Sequence, residues 1–422
     1  MSEIRGKKSQ VSAIKGTKDI LPDEAWMWQR LEREGRKLFD MYGYCEIRTP
    51  VFEATELFEK GTGPTSDIVT KEMYTFVDKG GRSITLRPEY TPSVVRSIIE
   101  HRLHLLPRPL RFYYIGPMFR YDKPQKGRYR QFHQVDIEVF GEMDPAIDAE
   151  IVEMADRLLR SLNVNDTEIL VNSVGCKECR PGYHAELRKK AEEARSQLCE
   201  DCQRKLETNP LRIFDCKVES CQEVSTGFPK ITDFLCAECQ DHFNGFCSHL
   251  NKFGIVYTVE PRLVRGLDYY TKTTFEFVSG SLGAQDAVLG GGRYDDMMKE
   301  FGGPDICGIG FAMGVERLLS IVSIEEENRN WVYIVHLGDE AKRMGMDLGR
   351  FLRDRDVECL IEYKNRSLNK QMSRANKLSA PWVIVIGEDE VKKKRMQLKN
   401  MRTGKQDEYC QEDIHKIVTS ID

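Results

Sequence analysis

The sequence predicts a mixed α+β protein with more than one domain. Three observations carry this prediction: an arginine-rich hairpin pattern at residues 116–141, a cysteine-rich helical segment at 172–254, and regular alternation of strand and helix after residue 330. At 422 residues the chain is longer than a single compact core usually allows. We therefore expect two or three domains, each with its own core.

The hairpin is the most informative segment. Its arms, 112–115 and 135–139, have the composition of strands, and Pro124 and Gly127 interrupt the pattern between them. Guanidinium groups bind phosphate and carboxylate oxygens through two parallel hydrogen bonds, so arginines clustered here indicate a site for a triphosphate or a nucleic-acid backbone. A solvated, charged hairpin is the alternative. The polar residues on or beside the loop are Arg120, Arg128, Arg130, Gln131 and Gln134.

Composition narrows the class of protein. The chain has 63 Lys and Arg against 67 Asp and Glu, a net charge of -4, so contacts with nucleic acid must come from local patches. The sequence contains no apolar run long enough to cross a bilayer, and the N-terminus lacks an apolar signal core. Thirteen cysteines in such a chain favour reduced thiols or metal ligands over disulfides. We expect a soluble, cytoplasmic protein without a membrane partner.

Periodicity predicts elements on both sides of the cysteine-rich segment. We expect a helix over 23–42, a short strand over 47–52, a strand over 269–278, a tight turn at 290–292, and a strand running into a helix over 308–322. After a linker at 325–330, strands alternate with helices over 340–353 and 367–378, which is typical of a small domain with parallel strands. The basic run at 392–395 is either a solvated edge or a contact with a nucleic-acid backbone.

Standard nucleotide-binding motifs are missing from the sequence. Gly308, Gly310 and Gly314 are spaced one residue too widely for the dinucleotide pattern, and no G-x-x-x-x-G-K-[ST] loop is present. If the protein uses ATP, a different fold must bind it. Arg317 follows at a strand-to-helix junction, where an arginine can meet a phosphate or form an ordinary surface ion pair.

Three of these segments together resemble the motifs of the class II aminoacyl-tRNA synthetases. Arg120 with the loop to Glu138 is similar to motif 2 of that class, and the segment 308–319 with Arg317 is similar to motif 3. The helix-to-strand segment that ends at Pro50 is similar to motif 1. These motifs specify the class and not the amino acid.

A more specific match points to the bacterial histidyl-tRNA synthetases. The segment LVRGLDYY at 263–270 resembles a stretch peculiar to the histidine enzymes, and TLRPEYT at 85–91 and LGGGRYD at 289–295 add to it. The resemblance covers nearly the whole chain. It implies a catalytic domain with an antiparallel sheet flanked by helices, an inserted helical domain at 172–254, and a C-terminal α/β anticodon-binding domain at 331–422. The catalytic domain would comprise 1–171 and 255–325, and the motif 1 resemblance implies a homodimer.

The resemblance also implies the reaction and its residues. Such an enzyme activates L-histidine with ATP and Mg²⁺ to histidyl-adenylate and pyrophosphate, then transfers histidine to the 3′ end of tRNA(His). The resemblance assigns catalysis to Arg120, Arg265 and Arg317; ATP binding to these three with Asp122 and Arg128; histidine binding to Glu89, Thr91, Gln134, Glu138, Tyr269 and Tyr270; and the tRNA acceptor end to Gln125 and Lys126.

The assigned roles suit the chemistry. Arg120 would hold the α-phosphate and Arg317 the γ-phosphate, while Arg265 would lie across the α-phosphate and the substrate carboxylate, where negative charge develops. A neutral imidazole offers one donor and one acceptor on opposite sides of its ring, and Glu138 and Tyr270 would answer them. The remaining assignments are the adenine amino group to Asp122, the bent triphosphate to Arg128, and the α-amino group of histidine to Glu89, Thr91 and Gln134.

The inserted segment holds nine of the thirteen cysteines. Its first two C-x-x-C pairs are nineteen residues apart, which matches the spacing of a zinc knuckle. The resemblance does not require a metal here, so structural Zn²⁺ and a metal-free domain both stay open. The candidate ligands are Cys176, Cys179, Cys199, Cys202, Cys236 and Cys239, with Cys216 and Cys221 as further candidates.

Two other functions are compatible with parts of the pattern. A synthetase-like regulatory subunit of the ATP phosphoribosyltransferase of histidine biosynthesis would keep the fold and bind histidine without charging tRNA. The intact Arg120, Arg265 and Arg317 argue against it, as do the inserted and C-terminal segments. A zinc-dependent protein that contacts only a nucleic-acid backbone would leave the accompanying carboxylates, Gln and Tyr unexplained.

Overall fold

The structure, a computed structural model, describes residues 11–63, 66–125, 127–283, 286–323, 329–410, 412 and 414–421. The chain divides into two compact units, Met1–Ile324 and Glu325–Asp422. This division falls at the start of the segment predicted as a linker. The finer domain boundaries given above stay predictions.

Strands and helices alternate irregularly in the first unit. Its strands are β1 (Cys45–Glu46), β2 (Phe52–Ala54), β3 (Tyr74–Val77), β4 (Ser83–Leu86), β5 (Leu110–Phe119), β6 (Gln131–Phe140), β7 (Thr167–Ser173), β8 (Thr258–Val259), β9 (Thr271–Ser279), β10 (Ala287–Arg293) and β11 (Gly308–Gly314). Its helices are α1 (Pro22–Met41), α2 (Thr55–Thr62), α3 (Thr91–Glu100), α4 (Pro145–Ser161), α5 (Arg180–Glu193), α6 (Glu200–Thr208), α7 (Glu219–Ser225), α8 (Ala237–Phe253), α9 (Met297–Glu300) and α10 (Val315–Leu319).

The larger of two sheets in this unit is mostly antiparallel. Its strand order is β1-β5-β6-β11-β10-β9-β7-β8, with parallel pairing only at the two edges, β1 with β5 and β7 with β8, among the described residues. The smaller sheet has the order β2-β4-β3. The predicted hairpin is β5 and β6, paired antiparallel with Gly116 opposite Gln134. The predicted α+β fold with an antiparallel sheet is therefore confirmed.

The alternation along β6 separates a core face from a cavity face. Val135, Ile137 and Val139 are buried in the main hydrophobic core, which also takes side chains from α4 and α8. The intervening positions of β6 carry polar side chains, which point to the opposite face of the sheet because the side-chain period of a strand is two. This face holds the candidate site.

Two predicted elements differ from the structure. The strand expected over 47–52 is wrong, because β1 ends at Glu46 and β2 begins at Phe52. Pro50 between them has no N–H to donate to a sheet ladder. The tight turn expected at 290–292 is also wrong, since these glycines lie inside β10. A Cβ on Gly291 would lie 2.2 Å from the Gly310 carbonyl oxygen, so glycine here permits a close approach of strands rather than a turn.

A buried ion pair joins this sheet to the helices behind it. Arg293, in β10, and Asp148, in α4, both have fully buried side chains, and Arg293 Nη1 donates to Asp148 Oδ1 over 2.6 Å. The second oxygen, Asp148 Oδ2, lies 2.8 Å from His242 Nε2 in α8. Arg293 Nη2 also donates to the Glu142 carbonyl at 2.6 Å. Burial alone would raise the pKa of Asp148, but the Arg293 charge and the hydrogen bond with His242 hold it below its usual range.

We predict that Arg293→Met destabilises the protein by about 3 to 5 kcal/mol, because it leaves the Asp148 carboxylate buried beside an uncharged side chain. Urea unfolding followed by circular dichroism measures the change in the free energy of unfolding. The control is Arg157→Met, whose guanidinium pairs with Glu153 on the exposed surface of α4 and should contribute about 1 kcal/mol or less. Equal stability of the two variants would contradict the prediction.

The segment predicted as an inserted domain is helical, as expected, and comprises α5 to α8 with short 3-10 turns. A separate hydrophobic cluster around Tyr183, Leu187 and Phe228 forms its core. The two C-x-x-C pairs that have zinc-knuckle spacing in the sequence do not share a centre in the structure. The first C-x-x-C pair lies beside the third and not beside the second, because the chain from α6 to α7 folds back on itself. The two groups are Cys176, Cys179, Cys236 and Cys239, and Cys199, Cys202, Cys216 and Cys221.

The second unit has the predicted strand–helix alternation. Its sheet order is β13-β12-β14-β15-β16, with β12 parallel to both β13 and β14, which confirms the predicted parallel strands. Its elements are β12 (Trp331–His336), α11 (Asp339–Arg353), β13 (Glu358–Ile361), α12 (Leu368–Lys377), β14 (Trp382–Ile386), α13 (Glu388–Lys393), β15 (Arg395–Asn400), β16 (Gln406–Cys410) and α14 (Ile414–Ile421). In neither unit is a described helix long and apolar enough to cross a membrane.

Candidate active site

A cavity of about 760 Å³ lies on the polar face of the large sheet. It brings together the sequence-predicted site residues Glu89, Thr91, Arg120, Asp122, Arg128, Gln134, Glu138, Arg265, Tyr269, Tyr270 and Arg317. Gln125 is exposed at the tip of the β5–β6 hairpin, outside the cavity lining. Lys126 lies outside the described residues.

Glu138 is buried at one end of the cavity. Its Oε1 accepts a hydrogen bond of 2.6 Å from Thr91 Oγ1, and its Oε2 accepts one from the Tyr294 hydroxyl. Removal from water disfavours the ionised carboxylate and raises the pKa of Glu138 to about 8. Glu138 is therefore a carboxyl group whose charge depends on what occupies the cavity.

Glu89 lies nearby and is also buried. Its Oε1 accepts from Thr62 Oγ1 at 2.6 Å, and its Oε2 accepts from the Tyr269 hydroxyl at 2.9 Å. Burial raises the pKa of Glu89 above its usual range. The ring of Tyr269 lies against that of Tyr270, with centroids 4.7 Å apart. Burial raises the pKa of both phenols, so each stays a neutral hydroxyl that can donate.

Two buried acceptors beside these carboxylates have no partner among the described residues. They are Asp136 Oδ1 and Gln134 Oε1, on the cavity face of β6. Burial, followed by the neighbouring Glu138, raises the pKa of Asp136 well above its usual range. Because buried acceptors in proteins are nearly always satisfied, this end of the cavity suits a cationic group rich in donors, such as an ammonium.

Arginines line the rest of the cavity, and Arg120 among them lies close enough to Glu89 for its charge to act on that carboxyl group. Arg120 Nε donates to the Pro88 carbonyl at 2.8 Å, and its guanidinium lies 5.2 Å from the centre of the Phe132 ring. Arg317 Nη1 donates to the Ala287 carbonyl at 3.1 Å. Burial, and then the charges of Arg128 and Arg120, lower the pKa of Arg317. Since these cations repel one another, an anion bound between them would be stabilised.

The side chain of Arg265, which comes from the LVRGLDYY segment, lies over the glycine-rich strand β10. Its guanidinium forms an ion pair with Glu276 of β9 and covers the backbone of Gly290. A Cβ on Gly290 would be 2.2 Å from Arg265 Nη1, so only glycine leaves room for the guanidinium in this position. The side chain is thus held over the floor of the cavity.

Asp122 and Arg128 pair with each other on the hairpin loop, and Arg128 Nη2 also lies 3.6 Å from Glu72 Oε1. In this arrangement the Asp122 carboxylate faces a guanidinium. Gly127, at φ +71°, places the loop beside Arg317, with a built Cβ 3.3 Å from Arg317 Cγ. The loop therefore contributes a carboxylate, from Asp122, and a guanidinium, from Arg128, beside Arg317.

Sequence reasoning missed three residues of this site. Asp136 lies on the cavity face of β6, and the period of two through Gln134 and Glu138 could have identified it. Tyr294, which donates to Glu138, belongs to the LGGGRYD segment without a role having been assigned to it. Glu276 had no signal in the sequence, since its pairing with Arg265 depends on the register of β9 and β10.

The geometry is that of a cavity with a carboxylate end and a guanidinium end. A molecule with a cationic group and an anionic group would fit both ends. The family model described as histidyl-tRNA synthetase matches residues 16–318, and that described as anticodon binding domain matches 331–421. The chain belongs to the histidyl-tRNA synthetase family.

Histidyl-tRNA synthetases of known name and structure support this assignment over the full length. The chain is 48% identical to "Histidine--tRNA ligase" of Halothermothrix orenii over 97% of this chain and 100% of the relative. It is 48% identical to the protein of that name from Desulfitobacterium hafniense, covering 96% of each. The crystal structure of apo Staphylococcus aureus histidyl-tRNA synthetase is 36% identical and has a TM-score of 0.81, covering 98% of this chain and 100% of that one.

These findings confirm the family resemblance and the function that it implies, histidine–tRNA ligation by an ATP-dependent enzyme. The two other functions considered above receive no such support from these relatives. The relatives do not assign roles to the individual cavity residues.

Proposed function

We propose that the cavity activates histidine with Mg²⁺–ATP and then passes it to the terminal ribose of tRNA(His), with the residue roles assigned above. The observation behind the proposal is that a single cavity brings buried carboxylates and hydroxyls together with four arginines. Arg120 adjoins the carboxylates, and Arg317 and Arg128 lie near each other on the remaining side. Histidine has an ammonium group and a hydrogen-bonding ring, and ATP has a triphosphate. Each substrate would meet the end that complements it.

The arginine end suits the phosphates. Arg120 and Arg265 would neutralise the α-phosphate as the carboxylate of histidine attacks it, and Arg317 with Arg128 would hold the bent triphosphate. Mg²⁺ enters with ATP as part of the substrate. Positioning and charge neutralisation supply most of the rate in such a step, because no covalent bond to the protein is formed.

The carboxylate end suits histidine. Glu138 would accept a hydrogen bond from one ring nitrogen, and the neutral hydroxyl of Tyr270 would donate to the other. Glu89, Thr91 and Gln134 would receive the α-ammonium group, and the unpartnered oxygen of Asp136 would lie beside it. Tyr269 and Thr91 would hold the two glutamates in place through the hydrogen bonds that they donate.

The remaining assignments concern macromolecules. Gln125, at the tip of the hairpin, and Lys126, which follows it in the sequence, would contact the tRNA acceptor end. The matched anticodon-binding region at 331–421 would bind the anticodon. The helical inserted region would hold the acceptor arm. We place the enzyme in the cytoplasm, where tRNA is charged in bacteria.

A second copy of this chain is the proposed partner. Apolar side chains on the three-stranded sheet are exposed, with Phe52 at 51%, Phe76 at 47% and Val77 at 69%. Exposed apolar groups gathered on one sheet suit an interface between subunits. Light scattering of the purified protein should give twice the chain mass, and a monomer at micromolar concentration would contradict the homodimer.

We expect the stability of the free protein to depend on pH through Glu138. Its pKa is raised from 4.5 to about 8, so its contribution to stability is present below pH 4.5 and is lost as pH rises through about 8. Linkage gives a loss of about 2 to 3 kcal/mol between pH 6 and pH 9. Glu138→Gln, which does not titrate, should lack this loss when urea unfolding is compared at both pH values. Parallel pH profiles would contradict the shift.

Charging of a tRNA(His) transcript with labelled histidine tests the proposed roles. We expect Arg317→Ala to lower kcat/KM for ATP by about 100-fold, because a guanidinium that neutralises phosphate charge is lost. The matched control is Arg157→Ala, which removes an exposed arginine of α4 and should charge tRNA at the wild-type rate. Wild-type kinetics for Arg317→Ala would overturn its role.

A further inference from the structure

Eight cysteines of the inserted region form two separate groups of four. We name Cys176, Cys179, Cys236 and Cys239 the first tetrad, and Cys199, Cys202, Cys216 and Cys221 the second tetrad. Within each tetrad all Sγ atoms lie within 4.8 Å of one another. All of these cysteines are free thiols. Neither tetrad takes part in the reaction proposed above.

The distances within each tetrad match a tetrahedral metal site. Cys176 Sγ lies 3.6 Å from Cys179 Sγ and 3.9 Å from Cys236 Sγ, and Cys199 Sγ lies 3.8 Å from Cys216 Sγ. Four sulfurs at about 2.3 Å from a tetrahedral zinc ion are about 3.8 Å apart. Disulfides would need about 2.05 Å. The thiols are therefore spaced as ligands around a common centre.

Backbone N–H groups point at the same sulfurs. The Cys236 N–H donates to Cys179 Sγ at 3.1 Å, and the Cys199 N–H donates to Cys221 Sγ at 3.2 Å. Cys179, Cys199 and Cys236 each occupy the residue before a helix, at the ends of the dipoles of α5, α6 and α8 that favour negative charge. These features stabilise thiolates, which are the form that binds metal.

The tetrads also lie where cross-links would matter for the fold. The first tetrad joins the segment just after β7 to the start of α8, so it ties the beginning of the inserted region to its last helix. The second tetrad encloses the segment 203–215. In that segment Arg212 Nη2 donates to the Gly266 carbonyl at 2.8 Å, and Asn209 Nδ2 donates to Asp268 Oδ1 at 3.0 Å. Both acceptors belong to the LVRGLDYY segment that carries Arg265.

We propose that each tetrad binds one Zn²⁺ ion through four thiolates, giving two structural zinc ions per chain. Four sulfur ligands in tetrahedral geometry close the coordination shell, so these sites hold the fold and have no open position for a substrate. The small core of the inserted region, set out above, is of the kind that metal sites commonly reinforce.

Elemental analysis of the full-length chain, purified reduced, without chelator and from zinc-containing medium, tests the proposal. We expect two zinc ions per chain in the wild type and one in each of Cys239→Ser and Cys221→Ser. Cys410→Ser, which alters an exposed cysteine of the second unit, is the matched control and should keep two. Fewer than two zinc ions after reconstitution of the reduced wild type with zinc would overturn the proposal.

X-ray absorption of the wild-type protein gives a test that needs no variant to fold. The zinc edge should show four sulfur neighbours at about 2.3 Å and no nitrogen or oxygen in the first shell. A mixed shell would contradict the ligand set, and iron in place of zinc would contradict the metal. Because both measurements count metal and ligands, their outcome is independent of the proposed reaction.

Discussion

Glu138→Gln is expected to lower kcat/KM for histidine in ATP–pyrophosphate exchange by about 10³-fold, which corresponds to about 4 kcal/mol. The carboxylate is buried, and a ring N–H donated to it would form a charge-assisted hydrogen bond. The amide keeps the size of the side chain and an oxygen for Thr91. It loses the negative charge, and its NH₂ group would face the ring N–H of histidine.

The control for this variant is Glu168→Gln, which removes an exposed carboxylate of β7 that accepts a hydrogen bond from Thr258, away from the cavity. Its exchange rate should equal that of the wild type. The KM for ATP should change little in Glu138→Gln, since the phosphates bind at the other end of the cavity. A decrease in kcat/KM for ATP alone, or an unchanged kcat/KM for histidine, would contradict the assignment of Glu138 to the imidazole.

Arg265→Lys is expected to lower the rate of adenylate formation by about 10²- to 10³-fold in single-turnover experiments, even though it keeps the positive charge. The planar guanidinium can bind the α-phosphate and the substrate carboxylate together, whereas an ammonium is a point charge. Ion pairing with Glu276 and packing over Gly290 hold this plane in place. A second substitution, Arg265→Ala, should lower the rate of adenylate formation by at least the same factor.

The rate with saturating ATP and histidine separates this role from a purely structural one. An arginine that acts at the transition state should lower kcat, while one that merely shapes the cavity should raise KM for both substrates. Circular dichroism and the unfolding midpoint should remain near those of the wild type. A wild-type kcat in Arg265→Lys would show that the fork geometry is not needed.

Much of the fold follows from local patterns in the sequence. The β5–β6 hairpin and the run from β11 into α10 were predictable because alternation and turn residues lie close together along the chain. The strand–helix alternation of the second unit was predictable for the same reason. The glycines of β10 gave the wrong prediction of a turn at 290–292. A run of glycines usually indicates a turn, and the sequence does not show that β9 and β11 pair closely with β10 on both sides.

The parts of the site that could not be predicted depend on contacts between distant residues. Tyr294 donates a hydrogen bond to Glu138, which is 156 positions away in the sequence, and no local pattern predicts such a contact. The cysteines are a similar case. Spacing identifies C-x-x-C pairs, but which pairs share a centre depends on how the chain returns from α6 to α8, and connectivity cannot be deduced from spacing alone.

ATP–pyrophosphate exchange with each of the twenty amino acids in turn, with Mg²⁺ and without tRNA, would test whether the cavity activates histidine and no other amino acid. We expect exchange with histidine alone, because only its ring would pair with both Glu138 and Tyr270. Exchange with a different amino acid would contradict the assignment of the carboxylate end. Binding of histidine without any exchange would contradict the enzyme function and indicate a regulatory protein instead.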